Sequence, residues 1–189
     1  MARWEPNSRG RLAAAAMELY GERGYEQTTV AEIAERAGLT ERTFFRHYVD
    51  KREVLFAGAV DVQEVFVRAV ADALTCAVPI DALAVGLDAV AAQFADHRDF
   101  ARSRQAVIMA NPELRERDLV KLATMSAALA DTLCRHGVAE PAASLAADVG
   151  VAVFQVGFGR WIAADEEREM SLLLREALDE LKALTAGAG

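Results

Sequence analysis

The run Glu41-Arg42-Thr43-Phe44-Phe45-Arg46-His47-Tyr48 holds residue types suited to nucleic acid. Wound as a helix at about 100° per residue, it buries Phe44 and Tyr48 together. Arg42, Thr43 and Arg46 then face the other way, with Phe45 and His47 on the shoulders. An arginine can bond guanine O6 and N7 bidentately, and a threonine can meet a base edge or a thymine methyl. Glu41 falls in the first turn, where the helix dipole favours it. His47 and Tyr48 can bond phosphates, and Lys51 follows at the start of the next helix. Thr28 and Thr29 stand where a hydroxyl and free amides can hold another phosphate. Thr40, which can cap the reading helix, completes the set of DNA-facing residues.

Neighbouring elements must hold these groups in place. Asn7 or Ser8 can cap a first helix to about Arg23, with Leu12, Ala16 and Leu19 as its apolar stripe and Gly24 as its stop. Thr29-Val30-Ala31-Glu32 fits a capping box at the head of a second helix. That helix buries Val30, Ile33, Ala34 and Ala37 and ends at Gly38. After Leu39, Thr40 opens the third helix, Glu41 to about Tyr48. Two short helices joined by a glycine-containing turn make a helix-turn-helix. Asp50 can cap a long fourth helix from Lys51 to about Ala77. Further helical runs are expected near 80–96, 98–109, 113–136, 142–163 and 166–184, with Asn111-Pro112, Gly137, Pro141 and Asp165-Glu166-Glu167 among the separators.

Composition agrees. Of 189 residues, 53% are hydrophobic, 39 are alanine and only 4 are proline. A surplus of the best helix former and few breakers predict an all-α fold. We expect about nine helices: a three-helix domain with the helix-turn-helix over 1–50, and a helical bundle for ligand binding and dimerisation over 51–189. No run of about 18 uncharged apolar residues predicts a membrane span. The N-terminus does not read as a secretory signal. Cys76 and Cys134 form no C-x-x-C pair and read as buried free thiols of a cytoplasmic protein. No metal or cofactor site is expected.

Net charge is −8, unevenly spread. Residues 1–53 hold nine basic and nine acidic side chains, residues 54–189 twelve and twenty. DNA contact therefore belongs to the N-terminal part.

Residues 9–55 resemble the DNA-binding domain of the TetR family of bacterial transcriptional regulators. The resemblance lies in Thr28 to Ala34, Ala37-Gly38-Leu39-Thr40, Thr43 to Tyr48, and Lys51-Arg52-Glu53. It implies a homodimer, an effector pocket in the C-terminal helices, and repression released by ligand. Phe45 stands where the family often has a tyrosine whose hydroxyl contacts a phosphate. Packing on sugar or on a thymine methyl is expected instead. Tyr48 replaces a common phenylalanine and brings a hydroxyl nearby.

The C-terminal helices read as a bundle. Gly150 and Gly157 share one face of the 142–163 helix, where another helix could come close. With Met170, Leu173, Leu174, Ala177 and Leu181 of the last helix they are the expected dimer interface, a four-helix arrangement. Burial within one subunit is the alternative. The candidate effector site is a largely apolar pocket with Phe94, Met109, Met125, Phe154, Phe158 and Trp161, and with Gln93, Arg104 and Gln155 as polar contacts. Gln155 would need a partner if buried, either a ligand or a neighbouring helix.

The expected function is a ligand-responsive repressor that binds a palindromic double-stranded operator as a homodimer and is released by a small, largely apolar effector. A dimeric helical interaction module without sequence-specific DNA binding is the alternative. Enzyme motifs such as H-E-x-x-H, a P-loop or G-x-S-x-G are missing from the sequence, so an enzyme is not expected.

Overall fold

The structure is a computed structural model and describes residues 8–57, 59–95, 97–164 and 168–186. Asn7 and the separator 165–167 lie outside the described residues. All regular structure among the described residues is helical. The order is α1 (Ser8–Arg23), α2 (Val30–Arg36), α3 (Glu41–His47), α4 (Glu53–Phe56), α5 (Ala59–Ala73), α6 (Pro79–Gln93), α7 (Arg98–Ala110), α8 (Pro112–Arg135), α9 (Ala142–Ala163) and α10 (Met170–Ala186).

The chain forms two compact units, 1–58 with 103–118, and 59–102 with 119–189. The division differs from a simple boundary at residue 50. Val54, Leu55 and Phe56 of α4 bury in the first unit, as do Ile108 and Leu114 from the ends of α7 and α8.

In the first unit, local rules set each boundary. Gly24 ends α1 at φ +86°, and Gly38 ends α2 at φ +64°, both left-handed conformations that cost glycine little. At Gly38 the turn is a Schellman motif: its N–H donates to Glu35 O at 2.9 Å and that of Leu39 to Ala34 O at 2.8 Å. The capping box forms as expected. Glu32 N–H donates to Thr29 Oγ1 at 3.3 Å, and Thr29 N–H to Glu32 Oε2 at 2.9 Å. Leu12, Ala16, Leu19, Ile33 and Phe44 close the core.

The single fourth helix expected over 51–77 is two helices. The Asp50 carboxylate accepts from the N–H groups of Arg52 and Glu53 at 2.8 and 3.0 Å in the turn ahead of α4, but the N-cap position itself is Arg52. Three consecutive side chains, Val54 to Phe56, are then buried, which one straight amphipathic helix cannot do. The carbonyls of Leu55 and Ala57 accept from Arg104 Nε and an Arg9 guanidinium nitrogen at 2.5 and 2.9 Å.

The second unit packs α5 on α6, and α6 and α10 on α9, around Phe66, Leu83, Leu129, Val151 and Leu174. By length and composition α9 could cross a membrane, with mean hydropathy 1.5. In the fold, its inner face is part of the unit's core. Both cysteines are free thiols, but neither is fully buried: Cys76 is exposed in the turn beyond α5, and Cys134 is half-buried.

The two helix glycines expected at a dimer interface serve the chain's own packing. A Cβ at Gly157 would stand 2.5 Å from Leu174 Cδ2 and 3.0 Å from Leu174 Cα. At Gly150 it would meet Leu83 Cδ2 at 2.8 Å. Met170, Leu173, Leu174 and Ala177 are buried in the same core, and Leu181 packs against it. The close approach read from the glycines is real, but it brings α9 to α10 and α6 of one chain.

Candidate nucleic-acid interface

The reading helix α3 is positioned from both ends. Thr40 Oγ1 accepts from Thr43 N–H at 3.2 Å and lies 3.1 Å from the Thr43 hydroxyl. At the other end Tyr48 turns to extended backbone, φ −137° and ψ 137°. Phe44 is fully buried, and the Phe45 and Tyr48 rings each lie 5.5 Å from it. Arg42, Phe45 and Arg46 are thereby held outward and exposed, and Thr43 is half-buried beside them.

The charges on this face are distinctive. Arg23 pairs with Glu32, Arg36 with Glu18 and Glu22, Arg52 with Asp50, Arg104 with Asp118, and Arg117 with Glu53. Arg42 and Arg46 have no carboxylate partner among the described residues. Two exposed guanidinium groups on one turn spacing, without counter-charges, can accept guanine edges or phosphates.

Other DNA-facing expectations change once the tertiary contacts are seen. Thr28 is 2% exposed, and its hydroxyl donates to Gly24 O at 2.9 Å. Thr29 is exposed, but its hydroxyl donates to Glu32 Oε2 at 2.8 Å, so it serves the cap. Tyr48 is buried and donates to Arg9 O at 3.0 Å; burial raises its phenol pKa, so the group stays a neutral donor. Lys51 Nζ donates to the carbonyls of Tyr25, Glu26 and Thr28 at 2.9, 3.3 and 3.0 Å. An ammonium has three donors, so none is left for a phosphate. Nε2 of half-buried His47 is buried and without a hydrogen-bond partner among the described residues.

The candidate effector residues separate into groups. Phe94, Phe154, Phe158 and Trp161 converge in the second unit. Phe94 lies 6.4, 5.6 and 5.9 Å from the other three ring centroids in that order. Met125 belongs to the same core cluster. Gln93 and Gln155 are exposed, so neither is a buried amide in need of a partner. Arg104 and Met109 belong to the first unit. Arg104 is committed to Leu55 O and Asp118, with its guanidinium 5.2 Å from the Phe56 centroid. Burial lowers its pKa, and Asp118 acts against that shift. Met109 is 55% exposed.

The α9 sequence also carries a second apolar stripe, on the side away from its core glycines. Leu145, Ala152, Val156 and Ala163 are exposed on its outer side, with Val149 and Gly159 half-buried among them. Their spacing of three and four residues marks a second apolar face. The glycines drew attention to the opposite one.

Comparisons with known proteins agree with this architecture. The family model for bacterial regulatory proteins of the tetR family matches residues 12–57, and that for the MftR C-terminal domain matches residues 77–186. The HTH-type transcriptional regulator TcmR of Streptomyces glaucescens is 42% identical over 62 residues, covering 33% of this chain and 27% of that protein. This chain thus matches about a quarter of that relative's length. FadR of Thermus thermophilus, a TetR-family transcriptional repressor solved with lauroyl-CoA, is 26% identical with TM-score 0.56, over 92% of this chain and 93% of that one. The fatty acid degradation regulator FadR of Bacillus halodurans shares the fold at TM-score 0.64 and 20% identity, over 95% and 96% of the two chains. The capped reading helix and the helical second unit thus fall within two matching family models, and the chain belongs to the tetR family of bacterial regulatory proteins, with a C-terminal domain of the MftR type.

Proposed function

We propose that this transcriptional regulator is a ligand-responsive repressor that binds a palindromic operator as a homodimer. The observation that carries the reading is the pair Arg42 and Arg46, exposed on one face of α3 and without carboxylate partners among the described residues, whereas Arg23, Arg36 and Arg52 of the same unit are paired. Arg42, Thr43, Phe45 and Arg46 enter the major groove. Thr29 and Thr40 lie at the helix starts beside it, and His47 brings its unpartnered Nε2.

Dimerisation uses the outer faces of α9 and α10, where Leu145, Val156 and Leu172 are 68%, 47% and 47% exposed. A second copy covers this apolar surface and sets two reading helices about 34–36 Å apart. The effector is largely apolar and acts at Phe94, Phe154, Phe158 and Trp161. The lauroyl-CoA complex of the Thermus relative supports a long acyl molecule as the first probe. The effector favours a conformation with the wrong spacing of reading heads and so lowers DNA affinity by linkage.

The test is selection of bound sequences from random duplex DNA, followed by anisotropy on the winner with and without lauroyl-CoA. A palindromic winner, released by ligand, is expected. No enriched sequence would favour the dimeric interaction module instead.

A further inference from the structure

Phe45 is a large apolar side chain, 55% exposed, on the face that carries two unpaired arginines. Its ring meets that of fully buried Phe44 edge to face, at 5.5 Å and 83°. The ring therefore stands on rigid core and has little rotamer freedom to lose on binding. It has no donor for a phosphate. Burying it against the charged backbone would desolvate phosphates without replacing their hydrogen bonds. On the floor of the major groove, the apolar group a ring can cover is the thymine C5 methyl.

Its neighbour limits where that thymine lies. Phe45 follows Arg42 by three residues, so their Cβ atoms are about 5–6 Å apart on one helix surface. Base pairs stack about 3.4 Å apart. A guanine bonded by Arg42 and a methyl covered by Phe45 therefore sit one or two base pairs from each other. Resting on the DNA-reading role proposed above, we infer that Phe45 is a specificity-determining residue that selects thymine through its methyl group, within two base pairs of the guanine read by Arg42.

The experiment replaces each thymine of the selected operator by deoxyuridine, symmetrically in both half-sites, which removes only the methyl. Wild-type protein and Phe45→Ala are titrated against each duplex by anisotropy, and both are checked by thermal melting. One position is expected to weaken wild-type binding by about fourfold per half-site, the worth of one buried methyl. Phe45→Ala should lose that sensitivity at that position while retaining its melting temperature. The inference is overturned if no deoxyuridine position weakens the wild type. It is overturned equally if Phe45→Ala keeps the same sensitivity, or weakens all duplexes alike as a sugar contact would. Should Phe45→Ala bind too weakly to titrate, Thr43→Ala on the same duplexes decides: kept sensitivity leaves the methyl contact with Phe45, and lost sensitivity gives it to Thr43 and overturns the inference. Failure to select any sequence would instead remove the DNA-reading role itself.

Discussion

The Lys51 ammonium lies 4.3 Å from the centroid of the Tyr25 ring and donates to the carbonyl of that same residue at 2.9 Å. It ties the turn after α1 to the segment leading into α4, and the Tyr20 hydroxyl completes the knot by donating to Lys51 O at 2.7 Å. Lys51→Met should remove three charge-assisted hydrogen bonds and a cation–π contact. We expect a loss of about 2 kcal/mol, seen as a fall in Tm of roughly 4–8 °C. The slope of log affinity against log salt should stay unchanged. A slope reduced by about one would show Lys51 on a phosphate.

Arg42→Ala and Arg46→Ala should each weaken operator binding by about 1–3 kcal/mol and relax base preference at one position per half-site. Both side chains are exposed and without carboxylates, so the unfolding free energy should stay within about 0.5 kcal/mol of wild type. Unchanged specific binding in both variants would remove α3 as the reading element. Anisotropy on a panel of single-base operator variants makes the measurement.

Acid should weaken the first unit through two of its carboxylates. The Glu32 carboxyl is held below its ordinary value of 4.5 chiefly by the Thr29 N–H and then by the Thr29 hydroxyl. Glu22 is held below 4.5 chiefly by its hydrogen bond from Arg36. A lowered folded-state pKa means that the unfolded chain binds more protons in this range. The stabilisation is therefore complete above 4.5 and lost as pH falls through the lowered values. Melting followed by circular dichroism from pH 6 to 3 should show this descent. The double variant Glu22→Gln with Glu32→Gln should show a flatter one.

Two glycines two residues apart in α9 should respond oppositely to alanine. At Gly157 the new Cβ would stand 3.0 Å from a backbone atom, Leu174 Cα, so α9 and α10 must separate. A loss of about 1–3 kcal/mol is expected, as in other overpacked cores. At Gly159 nothing of the same chain lies within 4 Å, and alanine should gain up to about 1 kcal/mol of helix propensity when introduced into the Val156→Arg monomer, where no partner surface faces it. Thermal melting of the two variants makes the comparison.

Val156→Arg places a charge in the middle of the outer α9 face. Sedimentation velocity should show a monomer at concentrations where the wild type is a dimer, with circular dichroism unchanged. A variant that stays dimeric would place the interface elsewhere. Operator affinity should fall in parallel, because a dimer joins two half-sites and a monomer holds one.

Much of the reading head was legible because its rules are local. The Thr29–Glu32 box spans three residues, the Thr40 cap spans three, and Gly24 and Gly38 act at their own φ angles. The outward turn of Arg42 and Arg46 follows from helix period once Phe44 is taken as buried. The α9 glycines show the limit. Their type and spacing announced a close helix contact, but not with which helix or whose.

The sequence by itself determined most of the helices, their caps and stops, and the polar face of α3, since each depends on atoms within about one helical turn; the break between α4 and α5 was not among them. Tertiary structure decided which donors are spent. The Tyr48 hydroxyl reaches Arg9 O across 39 residues, the Thr28 hydroxyl turns back to Gly24, and Lys51 spans 23 to 26 residues to three carbonyls. It also decided that Leu174 fills the space beside Gly157 and that Gln155 faces outward. A buried donor must find an acceptor, and which one is in reach is set by the path of the whole chain rather than by neighbours in sequence.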